Sequence, residues 1–262
     1  MLRRRRTRHA TARRILRRLD RARPCRTVQG RSGVDGLVSV AIVIGASGGI
    51  GTALVDALAA RADHVHALSR GSNPSVDVTD EASLAAAAGT ISQPVDTVIC
   101  ATGMLHEGDA MPERALKELD GATLARLFAV NTIGPALVLK HFAPLLARDR
   151  PATIAVLSAR VGSIGDNRTG GWYGYRASKA ALNMIVRCAA IELARSRPEA
   201  RCVGLHPGTV DTGLSRPFKA RVPADRLFTP ADSAAKLLAV LDGLGTGDSG
   251  GCFAWDGQRI VP

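Results

Sequence analysis

The sequence predicts an α/β fold: one domain in which helices cover both faces of a doubly wound parallel sheet, making three layers. From Leu37 onward, short β-branched or apolar runs alternate with longer Ala/Leu-rich segments of helical period. A glycine-rich turn follows the first of these runs directly, in the position of a turn between a strand and a helix. The chain of 262 residues is long enough for a large domain with a substantial core.

Six main strands and five helices are expected along the chain. The strands are predicted at 39–44, 64–68, 95–101, 153–158, 201–206 and 251–255. The helices are predicted at 50–60, 81–88, 122–146, 172–195 and 230–241. A further short strand is expected just before Asp77.

Two segments interrupt this alternation and are predicted to be functional loops. Residues 160–171 are rich in glycine and polar residues and precede the helix that begins at 172. Residues 213–229 hold two prolines and several basic residues among Phe218 and Leu227. Because the second segment follows the strand ending at His206, we expect it to form a lid over a substrate.

The positive charge of the chain is concentrated at its N-terminus. Residues 1–36 hold 13 arginines against Asp20 and Asp35, a net charge of +11, and the other 226 residues hold 22 basic and 21 acidic groups, a net charge of +1. Like-charge repulsion predicts a disordered tail, or an extension from a misassigned start codon, before a domain at 37–262. An organelle presequence or a nucleic-acid-binding arm are the alternatives, although the nearly neutral domain does not favour a nucleic-acid partner.

Composition also bears on metals, disulfides and membranes. The five cysteines are widely scattered, with no C-x-x-C pair and no histidine at metal-ligand spacing. The expectation is therefore no metal, no disulfides and a reducing, cytoplasmic setting. No run approaches the ~20 uninterrupted apolar residues of a membrane-spanning helix, so no membrane span is expected.

The glycine-rich turn is predicted to bind the pyrophosphate of a nucleotide. It reads Gly45-Ala46-Ser47-Gly48-Gly49-Ile50-Gly51 and stands between the first strand and the first helix. Glycines permit close backbone approach, and a helix N-terminus presents free N–H groups and partial positive charge. An ordinary tight turn is the alternative. The candidate cofactor-binding residues here are Gly45, Ser47, Gly49, Ile50 and Gly51.

The end of the second strand indicates which nucleotide is bound. Ser69 and Arg70 stand where an acidic side chain would bind the ribose hydroxyls of NAD. A guanidinium pairs with a 2′-phosphate, which favours NADP(H) over NAD(H), the alternative being an ordinary surface arginine. Asp77 and Val78 are placed to meet the adenine edge, and the following helix is expected to be capped by Thr79 or Asp80.

A tyrosine and a lysine are the strongest catalytic candidates. Tyr175 and Lys179 are four residues apart in a predicted helix, so they share one face at a separation of ~6 Å along the axis. A nearby cation favours the phenolate of a tyrosine, which would let Tyr175 exchange a proton with a carbonyl oxygen at neutral pH. By itself this spacing is common on exposed helices. The glycine-rich turn about 125 residues upstream makes a catalytic role the favoured interpretation of this pair.

Together these motifs resemble the short-chain dehydrogenase/reductase family over residues 38–262. The resemblance implies a Rossmann-like fold with Gly45, Gly49 and Gly51 as cofactor-binding glycines and Tyr175 and Lys179 as catalytic residues. It implies that Asn131, on the predicted long helix, supports a proton relay to the lysine. The loop after the fourth strand and the segment at 207–212 would contact the nicotinamide through Ala101, Thr102, Gly103, Pro207, Gly208, Val210 and Thr212.

Two departures from the family pattern matter. The loop Cys100-Ala101-Thr102-Gly103 keeps only the glycine of the usual Asn-Asn-Ala-Gly. The usual catalytic serine is Ala159, three residues before Gly162. Ser158 is expected to replace it, although adjacent strand residues point to opposite faces, so this needs a local twist. Ser163 is the second candidate.

Three segments, at 157–164, 170–175 and 205–212, resemble the C-factor and sniffer-like carbonyl reductase branch of the family. This implies hydride transfer between NADPH and a small-molecule aldehyde or ketone, or the corresponding alcohol. The alternative is an NADP-binding signalling or regulatory protein with little catalysis. Family members commonly dimerise through the helices that hold Asn131 and Tyr175, so a homodimer is a further expectation. The apolar residues of these two helices fit a dimer interface and core packing equally well.

Overall fold

The computed structural model describes residues 27–29, 39–62, 64–108, 111–223 and 226–262. The expectation of a disordered tail at 1–36 lies outside the described residues except for Thr27–Gln29. Those three residues differ from the expectation, because they form a short strand. Their backbone pairs with that of His64–His66, which gives the polar groups of this segment partners in the sheet.

A seven-stranded sheet forms the centre of the domain. Its strands are β1 (Thr27–Gln29), β2 (Val40–Ile44), β3 (His64–Leu68), β4 (Thr97–Cys100), β5 (Ala152–Leu157), β6 (Ala200–His206) and β9 (Cys252–Ala254). The order is β1-β3-β2-β4-β5-β6-β9, and every neighbouring pair is parallel except β1 and β3. The strand order reverses between β3 and β4, on either side of β2. Crevices for ligands form at such a reversal, beyond the carboxyl ends of the strands.

Six α-helices of the described residues cover the two faces of this sheet. They are α1 (Gly49–Ala59), α2 (Glu81–Gly89), α3 (Gly121–Phe128), α4 (Gly134–Phe142), α5 (Tyr173–Ser196) and α6 (Pro230–Gly243). Alternate strand residues bury on opposite sides, so Ile42 packs with α2, α4 and α5 while Val43 packs with α1 and α6. The result is the three-layer, Rossmann-like single domain that the sequence predicts.

Two predicted elements are wrong. The single helix at 122–146 is interrupted, because α3 passes into a π-helical segment at Ala129–Ile133 before α4 begins. The short strand expected just before Asp77 is also wrong, because the described residues 69–76 form a loop. The N–H of Val76 donates to Ser69 O within the loop, so the hydrogen bonds of this segment are made locally rather than to the sheet.

One helical run, Gly121–Leu145, has the length and apolar composition of a membrane-spanning helix. Composition does not decide its role, since a core helix of a folded domain has the same character. This run packs against α5, and its residues Asn131 and Thr132 are buried and hydrogen-bonded to that helix. It therefore serves as part of the domain core.

The segment predicted to be a lid follows β6. Two short strands, β7 (Thr209–Val210) and β8 (Leu227–Phe228), pair in parallel, and a 3₁₀ helix at Arg216–Arg221 lies between them in the chain. This pairing holds both ends of the segment at the carboxyl edge of the main sheet. Residues 213–223 are thereby placed beside the crevice.

Candidate active site

The glycine-rich turn leaves the first helix with an open N-terminus. Gly45 has a φ of +86°, and its N–H and that of Ala46 both donate to Leu68 O. A Cβ on Gly51 would lie 2.1 Å from Gly45 O, and one on Gly49 would lie 2.7 Å from Thr212 Cγ2. Only glycine permits this close packing. No side chain caps α1, so its N–H groups are directed at the space that a pyrophosphate would fill.

Tyr175 and Lys179 lie together on the first turns of α5. Both side chains are buried, with 9% and 2% of their surface exposed. The Lys179 ammonium lies 5.9 Å from the centre of the Tyr175 ring and donates to Leu157 O, at the end of β5, over 2.7 Å. The helical spacing thus brings phenol and ammonium to one wall, as predicted.

Burial controls the acid–base properties of this pair. It raises the pKa of Tyr175 to about 12 and lowers the pKa of Lys179 to about 8. Among the protein's own groups, desolvation of the phenolate is the dominant effect on this pKa. That the lysine and an oxidised nicotinamide together favour the phenolate stays a prediction. At neutral pH the phenol holds its proton, which suits a proton donor, and most of the lysine is charged.

Asn131 lies in the π-helical segment behind the tyrosine–lysine pair. Its amide exchanges two hydrogen bonds with the backbone of Met104, at 2.8 and 2.7 Å, and its Nδ2 also donates to Ser178 Oγ over 3.2 Å. A Cβ on Gly103 would lie 3.7 Å from both Asn131 Oδ1 and Lys179 Nζ, so these groups converge at the end of the β4 loop. A π-helical turn re-aims side chains in this way and is frequent at functional sites.

The two residues that follow β5 both line the cavity but have different partners. Ser158 donates its hydroxyl proton to Asn183 Oδ1 over 2.6 Å, whereas Ala159 packs in a cluster with Tyr175, Leu105 and Leu127. Ser163 is buried and accepts from the N–H of Asp166. The position beside the phenol is therefore apolar.

A cavity of about 520 Å³ opens in front of Tyr175. Its walls come from the glycine turn, the ends of β4, β5 and β6, the start of α5, and the lid segment. One side is aromatic: the rings of Trp172 and Phe218 lie 5.0 Å apart, and Trp172 meets Tyr175 edge-on at 6.4 Å. A mostly apolar wall with a few convergent polar groups is typical of a site for a small organic molecule.

Comparison with known proteins identifies the family. A family model described as enoyl-(acyl carrier protein) reductase matches residues 45–257, most of the chain. The chain belongs to the short-chain dehydrogenase/reductase family of oxidoreductases. The predicted membership is thus confirmed, with the glycine turn, Tyr175 and Lys179 all inside the matched region.

Relatives of this dehydrogenase/reductase include both a signal protein and enzymes. C-signal of Myxococcus xanthus is 40% identical over 147 residues, covering 56% of this chain and 82% of the relative. A 1-hydroxy-2-glutathionyl-2-methyl-3-butene dehydrogenase of Rhodococcus sp. (strain AD45) is 34% identical over 181 residues, covering 68% and 74%. The crystal structure of NADPH-bound carbonyl reductase from chicken fatty liver has a TM-score of 0.70 and 26% identity, covering 86% of this chain and 99% of that one. These likenesses agree with the branch that the sequence indicates.

The dehydrogenase/reductase structure brings together most of the predicted site residues. Those that line the cavity are Gly49, Ile50, Ala101, Thr102, Gly103, Ser158, Tyr175, Lys179, Pro207, Gly208, Val210 and Thr212. Others stand outside its walls: Gly45, Ser47 and Gly51 in the turn, Ser69 and Arg70 after β3, and Asn131 behind Lys179. Among the described residues, no group of three or more His, Cys, Asp or Glu side chains is arranged to hold a metal ion.

Asp77 and Val78 lie in the loop between β3 and α2, outside the walls of the cavity. The Asp77 carboxylate accepts from the N–H and hydroxyl of Thr79, and these bonds, with smaller contributions from Arg70 and Arg126, lower its pKa. Val78 packs against Gly134 at the start of α4. The helix cap belongs to Asp80, whose carboxylate accepts from Ala82 N–H. The adenine-edge role of Asp77 and Val78 stays a prediction.

Sequence reasoning missed several wall residues, among them Trp172, His206 and Leu105. His206 enters the sequence analysis only as the end of a predicted strand, and it lines the cavity. Burial, with the nearby Arg160 charge, lowers its pKa to about 4, so it is neutral at physiological pH. Its place directly before Pro207-Gly208 was the available signal. The sequence around Trp172 held no such signal, because its local pattern predicts only the start of a helix and not a position in the cavity wall.

The glycine turn provides a matched pair of substitutions. Gly51→Ala should abolish measurable NADPH binding and lower the melting temperature, because a Cβ only 2.1 Å from Gly45 O forces the turn open. Gly89→Ala, at the end of α2 and outside the cavity wall, should keep both, since its Cβ would meet nothing within 4 Å. Calorimetry and thermal unfolding measure the two effects. Wild-type affinity in Gly51→Ala would contradict the proposed role of the turn.

Proposed function

We propose that this short-chain dehydrogenase/reductase is an NADPH-dependent carbonyl reductase acting on an aldehyde or ketone, or on the corresponding alcohol in reverse. The observation that carries the proposal is the burial of Tyr175 and Lys179 side by side in the wall of a largely apolar cavity. The same cavity is bordered by Gly48 and Gly49 of the nucleotide turn. A proton donor and a dinucleotide site therefore share one space.

The residues present fit a dinucleotide. The tight glycine turn, the uncapped start of α1 and the open approach at Gly103 provide room and N–H donors for its phosphates and nicotinamide. Arg70, exposed after β3, would pair with the 2′-phosphate of NADP(H). The carbonyl reductase from chicken, which shares this fold, holds NADPH, and this supports the same cofactor here.

The proposed chemistry is a balanced transfer of hydride and proton. When bound, NADPH would supply a hydride, whose electron pair forms the new C–H bond and leaves NADP⁺. The C=O π electrons move to the oxygen, which takes the phenolic proton of Tyr175 to form the O–H bond of the alcohol. Lys179, held by Leu157 O, stabilises the phenolate left behind and would orient the ribose. Asn131 fixes the β4 loop beside the lysine and would support reprotonation.

We propose that Ser158 polarises the carbonyl once its hydroxyl is free of, or shares, its hydrogen bond to Asn183. It lines the cavity, but its proton is donated to Asn183. To meet a substrate the hydroxyl must leave that bond or share it. With Ala159 beside the phenol, Tyr175 carries the larger part of carbonyl activation in this proposal.

A cytoplasmic setting is part of the proposal. The described cysteines, Cys100, Cys188, Cys202 and Cys252, are all free thiols. Free thiols persist in a reducing compartment, which supports this placement.

Tyr175→Phe tests the proton donor. Reduction of carbonyl substrates should fall by about 10³-fold or more, because the proton donor is lost, while NADPH affinity stays within about twofold of wild type. Steady-state kinetics and a fluorescence titration with NADPH measure the two quantities. Tyr173→Phe is the matched control, because Tyr173 is a half-buried tyrosine on the same first turn of α5 and does not line the cavity. Retained turnover in Tyr175→Phe would remove the mechanism.

The rate of reduction should depend on the charge of Lys179. Burial lowers the pKa of this ammonium to about 8, so it is charged below that pH and neutral above it. Reductase kcat should therefore hold below about pH 8 and decline above it. Lys179→Arg, whose guanidinium does not titrate in this range, should lose the decline if folding and NADPH binding are retained. The same decline in the folded arginine variant would assign it to another group.

Arg70→Ala tests the choice of cofactor. Loss of a charge-assisted bond to the 2′-phosphate should raise the KM for NADPH about 10- to 100-fold and leave the KM for NADH within about twofold. Arg61→Ala is the matched control, because Arg61 is an exposed arginine paired with Asp242. Equal effects of Arg70→Ala on both cofactors would contradict the proposed preference.

A signalling or regulatory protein that binds NADP with little catalysis is the second candidate. Two observations favour it: Ala159 replaces a polar residue beside the phenol, and C-signal is among the relatives. Both candidates predict NADPH binding, so binding does not separate them. NADPH consumption against a broad panel of aldehydes, ketones and quinones does, and saturable binding without turnover would favour the second.

A further inference from the structure

The helix that carries Tyr175 and Lys179 begins without a local cap. Trp172 occupies the N-cap position with a φ of +51°, and its side chain makes no capping bond. Gly170 and Gly171 before it also have positive φ, at +62° and +64°. Glycine adopts this conformation readily, but for a bulky tryptophan it is strained. Strain of this kind persists only where surrounding contacts enforce it.

Glu113 supplies those contacts from a different part of the chain. Its carbonyl oxygen accepts from the N–H of Trp172 over 2.5 Å, and its side-chain Oε2 accepts from the N–H of Gly174 over 3.3 Å. Glu113 belongs to the loop between β4 and α3, about 60 residues from the helix it caps. One residue thus fixes both sides of the strained junction, through its backbone and its carboxylate.

The carboxylate is deeply buried. Glu113 is only 4% exposed, and within the described part of the chain its Oε1 has no hydrogen-bond partner. A Cβ on Gly174 would lie 2.9 Å from Glu113 Oε1 and 2.6 Å from Leu127 Cδ1. The absence of a side chain at Gly174 lets the loop, α3 and α5 converge there. The positive end of the α5 dipole favours a negative charge at this point, which offsets part of the cost of burying it.

The junction held by Glu113 forms one wall of the cavity. The Trp172 ring lies between Phe218 of the lid segment, at 5.0 Å, and Tyr175, at 6.4 Å. A change in the backbone at 170–174 would therefore move the aromatic wall and the first turn of α5 together. An aromatic wall next to an apolar Ala159 fits a carbonyl group attached to an aryl or other bulky apolar group.

We propose that Glu113 is a positioning residue that sets the selectivity of the site for aryl carbonyl substrates. It does so by holding Trp172 in the wall of the cavity and Tyr175 in register with it. Glu113 contacts neither substrate nor cofactor in this account. The inference rests on the proposed carbonyl reduction, and it adds the substrate class and the residue that enforces it.

Kinetics with two probe substrates test the selectivity. In Glu113→Ala, the KM for 2-naphthaldehyde should rise about tenfold, as for loss of part of a buried aromatic contact, while the KM for propanal changes less than about twofold. Glu113→Gln keeps one acceptor for Gly174 and should recover most of the difference. Glu107→Gln is the matched control, since Glu107 lies on the same loop with its side chain exposed.

A double-mutant cycle tests whether Glu113 acts through Trp172. Trp172→Ala should cause the same selective rise in KM, and Glu113→Ala should add little to it. Leu238→Ala, in the core of α6 on the opposite face of the sheet, is the control for lost stability alone. If Leu238→Ala raises the ratio of the two KM values as Glu113→Ala does, the positioning role is overturned.

Tryptophan fluorescence provides a readout that does not depend on catalysis. Trp172 and Trp255 are the two tryptophans of the chain, so a Trp255→Phe background isolates Trp172. Glu113→Ala should shift the emission of Trp172 to longer wavelength, and Glu107→Gln should not. A protein that reduces neither aldehyde would count against the proposed function, whereas an unchanged Trp172 emission in Glu113→Ala would overturn the role of Glu113 on its own.

Discussion

The burial of the Lys179 ammonium at the carboxyl end of β5 is the constraint on which the site depends. A charge there needs an acceptor, and Leu157 O supplies one because β5 ends at that residue. The helix must also approach the strand end closely. Gly162 permits this, since a Cβ there would lie 2.8 Å from Lys179 Cβ. The Lys179 side chain thus links three elements: the end of β5, the turn at 160–162 and the start of α5.

The same constraint connects the other half of the site. Asn131 can reach the backbone of Met104 and the side chain of Ser178 because the π-helical segment turns its amide toward α5. Those bonds hold the loop after β4, with Gly103, against the lysine. The glycine turn after β2 lies at the same edge of the sheet, so the proposed nucleotide site, the proposed proton donor and the cavity meet where the strand order reverses. The same burial lowers the pKa of Lys179 and raises that of Tyr175.

Features that depend on residues close together in the sequence could be predicted, and features that depend on contacts between distant residues could not. The strands and most helices follow from hydrophobic period, and the glycine turn and the Tyr175–Lys179 pair follow from spacing, because those signals are local. The sequence does not predict the π-helical segment at 129–133, since its residues carry no local signal that sets them apart from the flanking helices. Glu113 and Trp172 meet only in the fold, and no local pattern points to them. The contact of Ser158 with Asn183 depends on how α5 packs, so it could not be predicted from the local sequence.

A crystal structure with bound NADP⁺ and a substrate analogue tests the central claim most directly. The account predicts that the nicotinamide lies in the cavity, that Lys179 Nζ reaches a ribose hydroxyl at about 3 Å, and that the Tyr175 hydroxyl points at the carbonyl oxygen. A nicotinamide bound outside this cavity, or a Tyr175 hydroxyl directed away from it, would contradict the account.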